Sequence, residues 1–206
     1  MSGASDRQPP ADSHDAAAVR FPVCITFDRG VWYLRLHLTD ATGGTIGHIS
    51  FARRGKGRLP IFRDASLEDV IYSIRWEHGF AQWFETAAGH KLGGYSGIPS
   101  SSGKFVIIGG QPRVRFDCAT PWLDFFESVV PSLPFLNALT GTLLQPTYRA
   151  VRHPDGQPVL EITKRRRALT TTFTIHQTGT LHGDEQECLL LATIVECLWM
   201  TNVRHY

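Results

Sequence analysis

A chain of 206 residues with 42% hydrophobic and 19% charged side chains can bury one substantial core, which excludes a wholly disordered polymer. The formal net charge of +2 is too small to argue for nucleic acid, and no nucleic-acid partner is expected. What matters is where the charge sits.

Residues 1–20 (MSGASDRQPPADSHDAAAVR) are small, polar and proline-bearing, without the apolar run of a signal peptide. They read as a disordered tail ahead of one domain over residues 21–206. Cys24, Cys118, Cys188 and Cys197 form no C-x-x-C pair. They are expected to be buried thiols in a reducing, cytoplasmic setting rather than zinc ligands or a disulfide framework.

Strands and turns follow. Residues 31–38 (VWYLRLHL) alternate as a half-buried strand, 40–44 (DATGG) turn, and 45–51 (TIGHISF) return. Residues 53–58 (RRGKGR) form a basic, glycine-bearing loop. Residues 70–77 and 80–86 pair across His78 and Gly79, and 91–98 follow. Residues 104–108 and 113–118 make a hairpin across Gly109 and Gly110. Residues 121–146 are irregular and aromatic. Residues 147–152 and 159–165 flank an Asp155-Gly156 turn signal, and 168–177 (ALTTTFTIHQ) is a β-branched strand. About ten to twelve evenly spaced strands predict a barrel or sandwich.

The C-terminus differs. Asp184 is the expected N-cap, with Glu187 completing a capping box, and Arg204 and His205 suit the far end of the dipole. Residues 188–200 are apolar nearly all round, so a soluble helix here must be surrounded by protein. A helix of about 16 residues is about 24 Å long, close to a strand of about seven residues at about 23 Å. The expectation is a mainly β fold: a closed antiparallel barrel of about twelve strands around a central apolar C-terminal helix. The helix is too short, and Glu196 too polar, for a membrane span.

Two basic clusters stand out: Arg53, Arg54, Lys56 and Arg58 in one loop, and Lys164, Arg165, Arg166 and Arg167 at a strand end. Flexible cationic loops can hold an anionic headgroup, and they can equally be solvated turns that keep strands from pairing. Trp122, Phe125, Phe126, Leu133, Phe135 and Leu136, within 121–144, either plug one barrel end or form a surface for a membrane or a protein partner. Glu196 requires a partner, an arginine or a strand hydroxyl such as Thr171. No histidine pair has H-x-x-x-H spacing, so no metal site is predicted, and nothing calls for a cofactor. Residues 94–98 (GYSGI) resemble a nucleophile elbow but carry Ile98 where glycine is required, and no base accompanies Ser96. No catalytic residue is assigned.

The order of residues 137–148 (NALTGTLLQPTY), the Asp155-Gly156 turn, 159–167 (VLEITKRRR), Phe173-Thr174-Ile175 and an acidic step into a leucine-rich helix resembles the tubby C-terminal-like superfamily. Phospholipid scramblases and LURP-one-related proteins belong to it. The resemblance covers residues 21–206 and implies a twelve-stranded barrel around a central helix. It implies phosphoinositide or membrane association for some members and calcium-dependent lipid scrambling for others. The chain departs from animal scramblases in lacking a long proline-rich N-terminal region, an acylated cysteine cluster and a calcium loop of alternating oxygen ligands. Scrambling and calcium sites are therefore placed on no residue. The functional expectation is a non-enzymatic module for anionic headgroups or a membrane surface, peripheral to the membrane. The alternative is a lipocalin-like carrier of a small apolar ligand, which the Gly30-Val31-Trp32 opening resembles. An enzyme on an unrecognised site is a third reading, to be tested by polar groups converging in a pocket.

Overall fold

In a computed structural model, residues 21, 23–29, 34–51, 57–76, 81–97, 104–122, 145–167 and 170–201 are described. Twelve strands run β1 (Val23–Arg29), β2 (Leu34–Thr39), β3 (Thr45–Ser50), β4 (Arg58–Phe62), β5 (Val70–Trp76) and β6 (Ala81–Thr86). They continue as β7 (Lys91–Gly97), β8 (Lys104–Ile108), β9 (Gln111–Cys118), β10 (Thr147–Arg152), β11 (Pro158–Arg166) and β12 (Thr170–Gln177), and α1 (Gly183–Met200) ends the fold. Each strand pairs antiparallel with its sequence neighbours, and β1 closes the ring on β12 with Ile25 opposite Phe173. Alternate residues face inward. Val23, Ile25 and Phe27, Leu36 and Leu38, and Phe173 and Ile175 are all buried in one core with the helix.

Residues 188–198 of α1 are buried without interruption. At 100° per residue, eleven consecutive positions sample every side of a helix, so the wall surrounds it. Its partners confirm this from several directions. Arg152 of β10 meets Glu185, Cys188 lies against Gly93 of β7 and Ile107 of β8, and Lys164 of β11 reaches Met200. The sizes match. Twelve strands spaced about 4.8 Å and tilted about 40° enclose a backbone tube roughly 24 Å across. One helix of about 11 Å with a lining of side chains fills that width.

The helix lies closest to β7 and β8, because Gly93 has no side chain there. A Cβ at Gly93 would stand 2.4 Å from the Ile107 carbonyl oxygen and 2.6 Å from Cys188 Sγ. The facing wall is filled by large residues such as Phe27 and Phe173, which meet edge to face at 5.5 Å.

Three sequence expectations are corrected. The strands β1 and β4 were not anticipated. Pro60 lowers the local strand signal over β4, yet β4 is bound to β5 along its length while its β3 side is held by a single register pair, His48 with Phe62, where a missing N–H costs little. The N-cap is His182, not Asp184. The helix begins at Gly183, and the Glu185 carboxylate accepts from the His182 N–H at 3.4 Å. Glu187 instead takes the Tyr72 hydroxyl, which burial and that carboxylate push well above the ordinary range for a phenol. Arg204 and His205 lie outside the described residues. Gly109 and Gly110, both at positive φ, make the predicted β8–β9 turn, a conformation that glycine adopts at both positions without a Cβ penalty.

Gly93→Ala is expected to force the helix from its wall at a cost of about 1–3 kcal/mol. Urea unfolding should show a lower midpoint at unchanged slope. An unchanged midpoint would mean that the helix does not depend on this approach.

Candidate functional site

Sequential antiparallel pairing divides the connections between two rims. The β1–β2, β3–β4, β5–β6, β7–β8, β9–β10 and β11–β12 connections share one rim with the C-terminal end of α1, which Lys164 touches from the end of β11. The remaining hairpins share the other rim with the helix N-terminus, which Arg152 touches from the end of β10.

The strand ends that flank both predicted basic clusters therefore fall on the same rim. Arg58 opens β4, and Arg165 and Arg166 close β11 with Arg167 just beyond. Arg53, Arg54 and Lys56 lie outside the described residues. β4 and β11 are five strands apart in a ring of twelve, nearly opposite. That separation approaches the tube width of about 24 Å, so Arg58 and the Arg165–Arg167 group span the rim rather than line one pocket. Lys164 corrects the expectation that it joins its neighbours in solvent. Its side chain turns inward, and its ammonium donates to the Met200 carbonyl at 3.1 Å. It thereby supplies the positive group that the last helical turn lacks.

Five arginines of the barrel wall are matched by carboxylates. Arg63 pairs with Asp69, Arg75 with Glu85, Arg115 with Asp117, Arg149 with Glu161 and Arg152 with Glu185. Among the described residues, Arg58, Arg165, Arg166 and Arg167 carry no ion pair. Arg58, Arg165 and Arg167 are exposed. Arg113, on the opposite rim, is the other exposed arginine of this kind. Trp122, four residues beyond the end of β9, is 59% exposed on the same rim as the arginine group.

The opposite rim is acidic. Asp40, Asp64, Glu68, Asp69 and Asp155 occupy its turns, and Glu185 and Glu187 lie in the first turns of the helix. Hydrogen bonds from Thr42 and Gly44 hold the Asp40 carboxyl below its usual range, and those from Ser66 do the same for Asp64. Both stay ionised near neutrality. The charge distribution is therefore polar along the barrel axis, and each rim's charge complements the helix end it surrounds.

Just inside the basic rim lies a buried polar cluster that the sequence located only by Glu196. The carboxylate is held by the Tyr95 hydroxyl and the Lys104 ammonium, both donating. A strand hydroxyl does hold it, as expected, but it is that of Tyr95 rather than Thr171, and the cation is a lysine rather than an arginine. Lys104 also lies over the Trp199 ring at 5.5 Å, and Tyr95 meets that ring edge-on at 5.4 Å. Burial first, and then the neighbouring carboxylate, push the Tyr95 hydroxyl far up, so it remains a donor. Lys104 opens β8, and its side chain is 36% exposed at the mouth. Sequence reasoning missed both residues because they contact Glu196 from about a hundred positions away.

The other expectations have plain outcomes. Ser96 sits in the regular ladder of β7, opposite Ala81 and Phe105, not on a strand-to-helix elbow. The four cysteines are free; burial raises the Cys188 thiol to about 12 and raises Cys197 as well, which keeps both protonated. Of residues 121–144, only Pro121 and Trp122 are described, so Phe125, Phe126, Leu133, Phe135 and Leu136 lie outside. Among the described residues, no helix is long and apolar enough to cross a membrane.

No family model matches the chain, and no curated protein matches it. Among solved structures, a crystal structure of a protein from Arabidopsis thaliana is similar over 88% of this chain and 92% of that one, at 12% identity and a TM-score of 0.48. A likeness of that size assigns neither family nor activity.

Lys104→Met is expected to strand a buried carboxylate. It should lower stability by about 1–3 kcal/mol, below the span for a fully buried pair because the ammonium is partly exposed. A double-mutant cycle with Glu196→Gln should show positive coupling. Additive losses in chemical denaturation would mean that the pair does not interact.

Proposed function

We propose that the chain is a non-enzymatic module that docks its basic rim onto an anionic membrane surface, as a cytoplasmic protein peripheral to the membrane. The observation that carries this reading is the set of exposed, unpaired guanidinium groups at one rim, in a barrel where five other arginines are paired. Guanidinium groups bind phosphate oxygens through parallel N–H donors. Each basic residue near an anionic surface contributes about 1 kcal/mol. Arg58, Arg165 and Arg167 together then supply about 3 kcal/mol, a useful but reversible attraction. Trp122 adds a ring of the type that settles at the headgroup level, and the axial charge separation turns the correct end towards a negative surface.

The barrel built around an apolar helix is the architecture that the tubby-like and scramblase-like resemblance implies, and membrane or phosphoinositide association is the part of that resemblance carried here. Scrambling is not carried. The span between the two clusters favours a surface of several headgroups over one enclosed headgroup. A lipocalin-like carrier needs an open lumen, and here the helix fills it.

The test is co-sedimentation with vesicles of phosphatidylcholine alone, with phosphatidylserine, or with phosphatidylinositol bisphosphate, at low and high salt. Binding should require anionic lipid and weaken with salt. Arg58→Gln, Arg165→Gln and Arg167→Gln combined should reduce it about 100-fold, the factor equivalent to about 3 kcal/mol. Arg113→Glu on the opposite rim should leave it unchanged. Failure of the natural chain to bind at low salt, or equal binding by the triple variant, would overturn the proposal.

A further inference from the structure

The outer face of the wall carries a second polar group, unrelated to either rim. His37 of β2 and His48 of β3 are directly opposed in register. Their Nδ1 atoms stand 2.9 Å apart, with the rings edge to face at 4.8 Å. The other nitrogen of His37, Nε2, lies 3.2 Å from the Asp28 carboxylate on β1. Both His37 and Asp28 are part exposed, so water and small ions reach them.

Three features of this arrangement point to one chemistry. First, the Asp28 carboxylate, 3.2 Å from His37 Nε2, favours a proton on that nitrogen by its charge and leaves Nδ1 as the lone-pair nitrogen facing His48. A carboxylate behind the remote nitrogen is the usual support of a metal-bound imidazole. Second, the 2.9 Å between the two Nδ1 atoms is the length of a hydrogen bond between the rings, and it is close to the roughly 2.9–3.3 Å that separates two imidazole nitrogens on one ion, so one ion can take both once the rings turn. Third, both rings sit on paired strands, which hold ligands more precisely than loops do. Among the described residues, no group of three or more His, Cys, Asp or Glu side chains converges on one point, so the protein supplies two ligands and water would complete the shell.

We propose that His37 and His48 form a bis-imidazole site for a divalent transition ion, Cu2+ foremost because it stands highest in the affinity order for imidazole ligands, with Asp28 as the positioning residue. In the empty pair, one imidazole donates its Nδ1 proton to the other. On binding, the His48 proton moves from Nδ1 to Nε2 through solvent, and a turn of each ring swings the two lone pairs off the line between them onto the ion. The net proton count is unchanged. The strand spacing explains why the motif escaped the sequence: the two histidines are eleven residues apart, across a hairpin, not four apart on a helix.

The experiment is titration of the full chain with Cu2+, read by calorimetry and by electron paramagnetic resonance. The natural chain should show a saturable site with superhyperfine splitting from two equatorial nitrogens. His37→Gln and His48→Gln should each remove one nitrogen and weaken binding at least tenfold. Asp28→Asn should keep both nitrogens and weaken binding about 10–100-fold. His176→Gln, on another strand, should change nothing, and circular dichroism of each variant confirms folding. Two-nitrogen binding that survives His37→Gln or His48→Gln, or a natural chain without a saturable site, would overturn the assignment. So would an Asp28→Asn variant with natural affinity, which would leave the carboxylate without a positioning role.

Discussion

The enclosure of an apolar helix is the constraint on which the rest of the structure depends. An 18-residue helix with no polar side cannot face water. A twelve-stranded ring has a lumen that side chains alone would leave partly empty, unlike an eight-stranded one. Each solves the other's problem. The polar atoms that enter the lumen do so with partners supplied by the wall: Glu196 with Tyr95 and Lys104, Glu187 with Tyr72, and the final carbonyl with Lys164. These contacts also fix the helix axially, because each joins one helical position to one strand.

The same threading separates the charges. Consecutive hairpins send odd connections to one rim and even connections to the other, so a basic loop between β3 and β4 and a basic loop between β11 and β12 must share an end. The helix enters among carboxylates and leaves among cations. Charge complementarity to the helix ends accounts for Lys164. It does not account for Arg58, Arg165 and Arg167, which point to solvent without carboxylates. That surplus is what makes the rim a functional candidate rather than a helix cap.

Much of this architecture was legible in the residues. The limits of β8 and β10, the Gly109-Gly110 turn and the all-round apolar character of 188–198 follow from local periodicity and turn chemistry, which do not depend on distant contacts. β4 was hidden because Pro60 is penalised for a donor that its thin seam with β3 scarcely uses. The helix start was displaced because Asp184 and Glu187 match a capping box better by residue type than His182 and Glu185 do. Tertiary contacts override that local preference: Tyr72 takes Glu187 and Arg152 takes Glu185, and both lie far off in sequence. At the site, composition marked the arginines but could not say that Lys164 turns inward, since that depends on strand parity. Tyr95, Lys104 and the His37–His48 pair carry no local signal at all, because each acquires its role only across the sheet or the lumen.

Native-state hydrogen exchange of the amides of residues 188–198 tests the enclosure most directly. If the wall surrounds the helix, those amides open only when the whole barrel does, and they should exchange as slowly as Ile25 and Phe173 at the closing seam. Exchange of the helix at the rate of turn amides such as Gly43, while the strands stay protected, would place it outside the barrel and remove the basis for both rims.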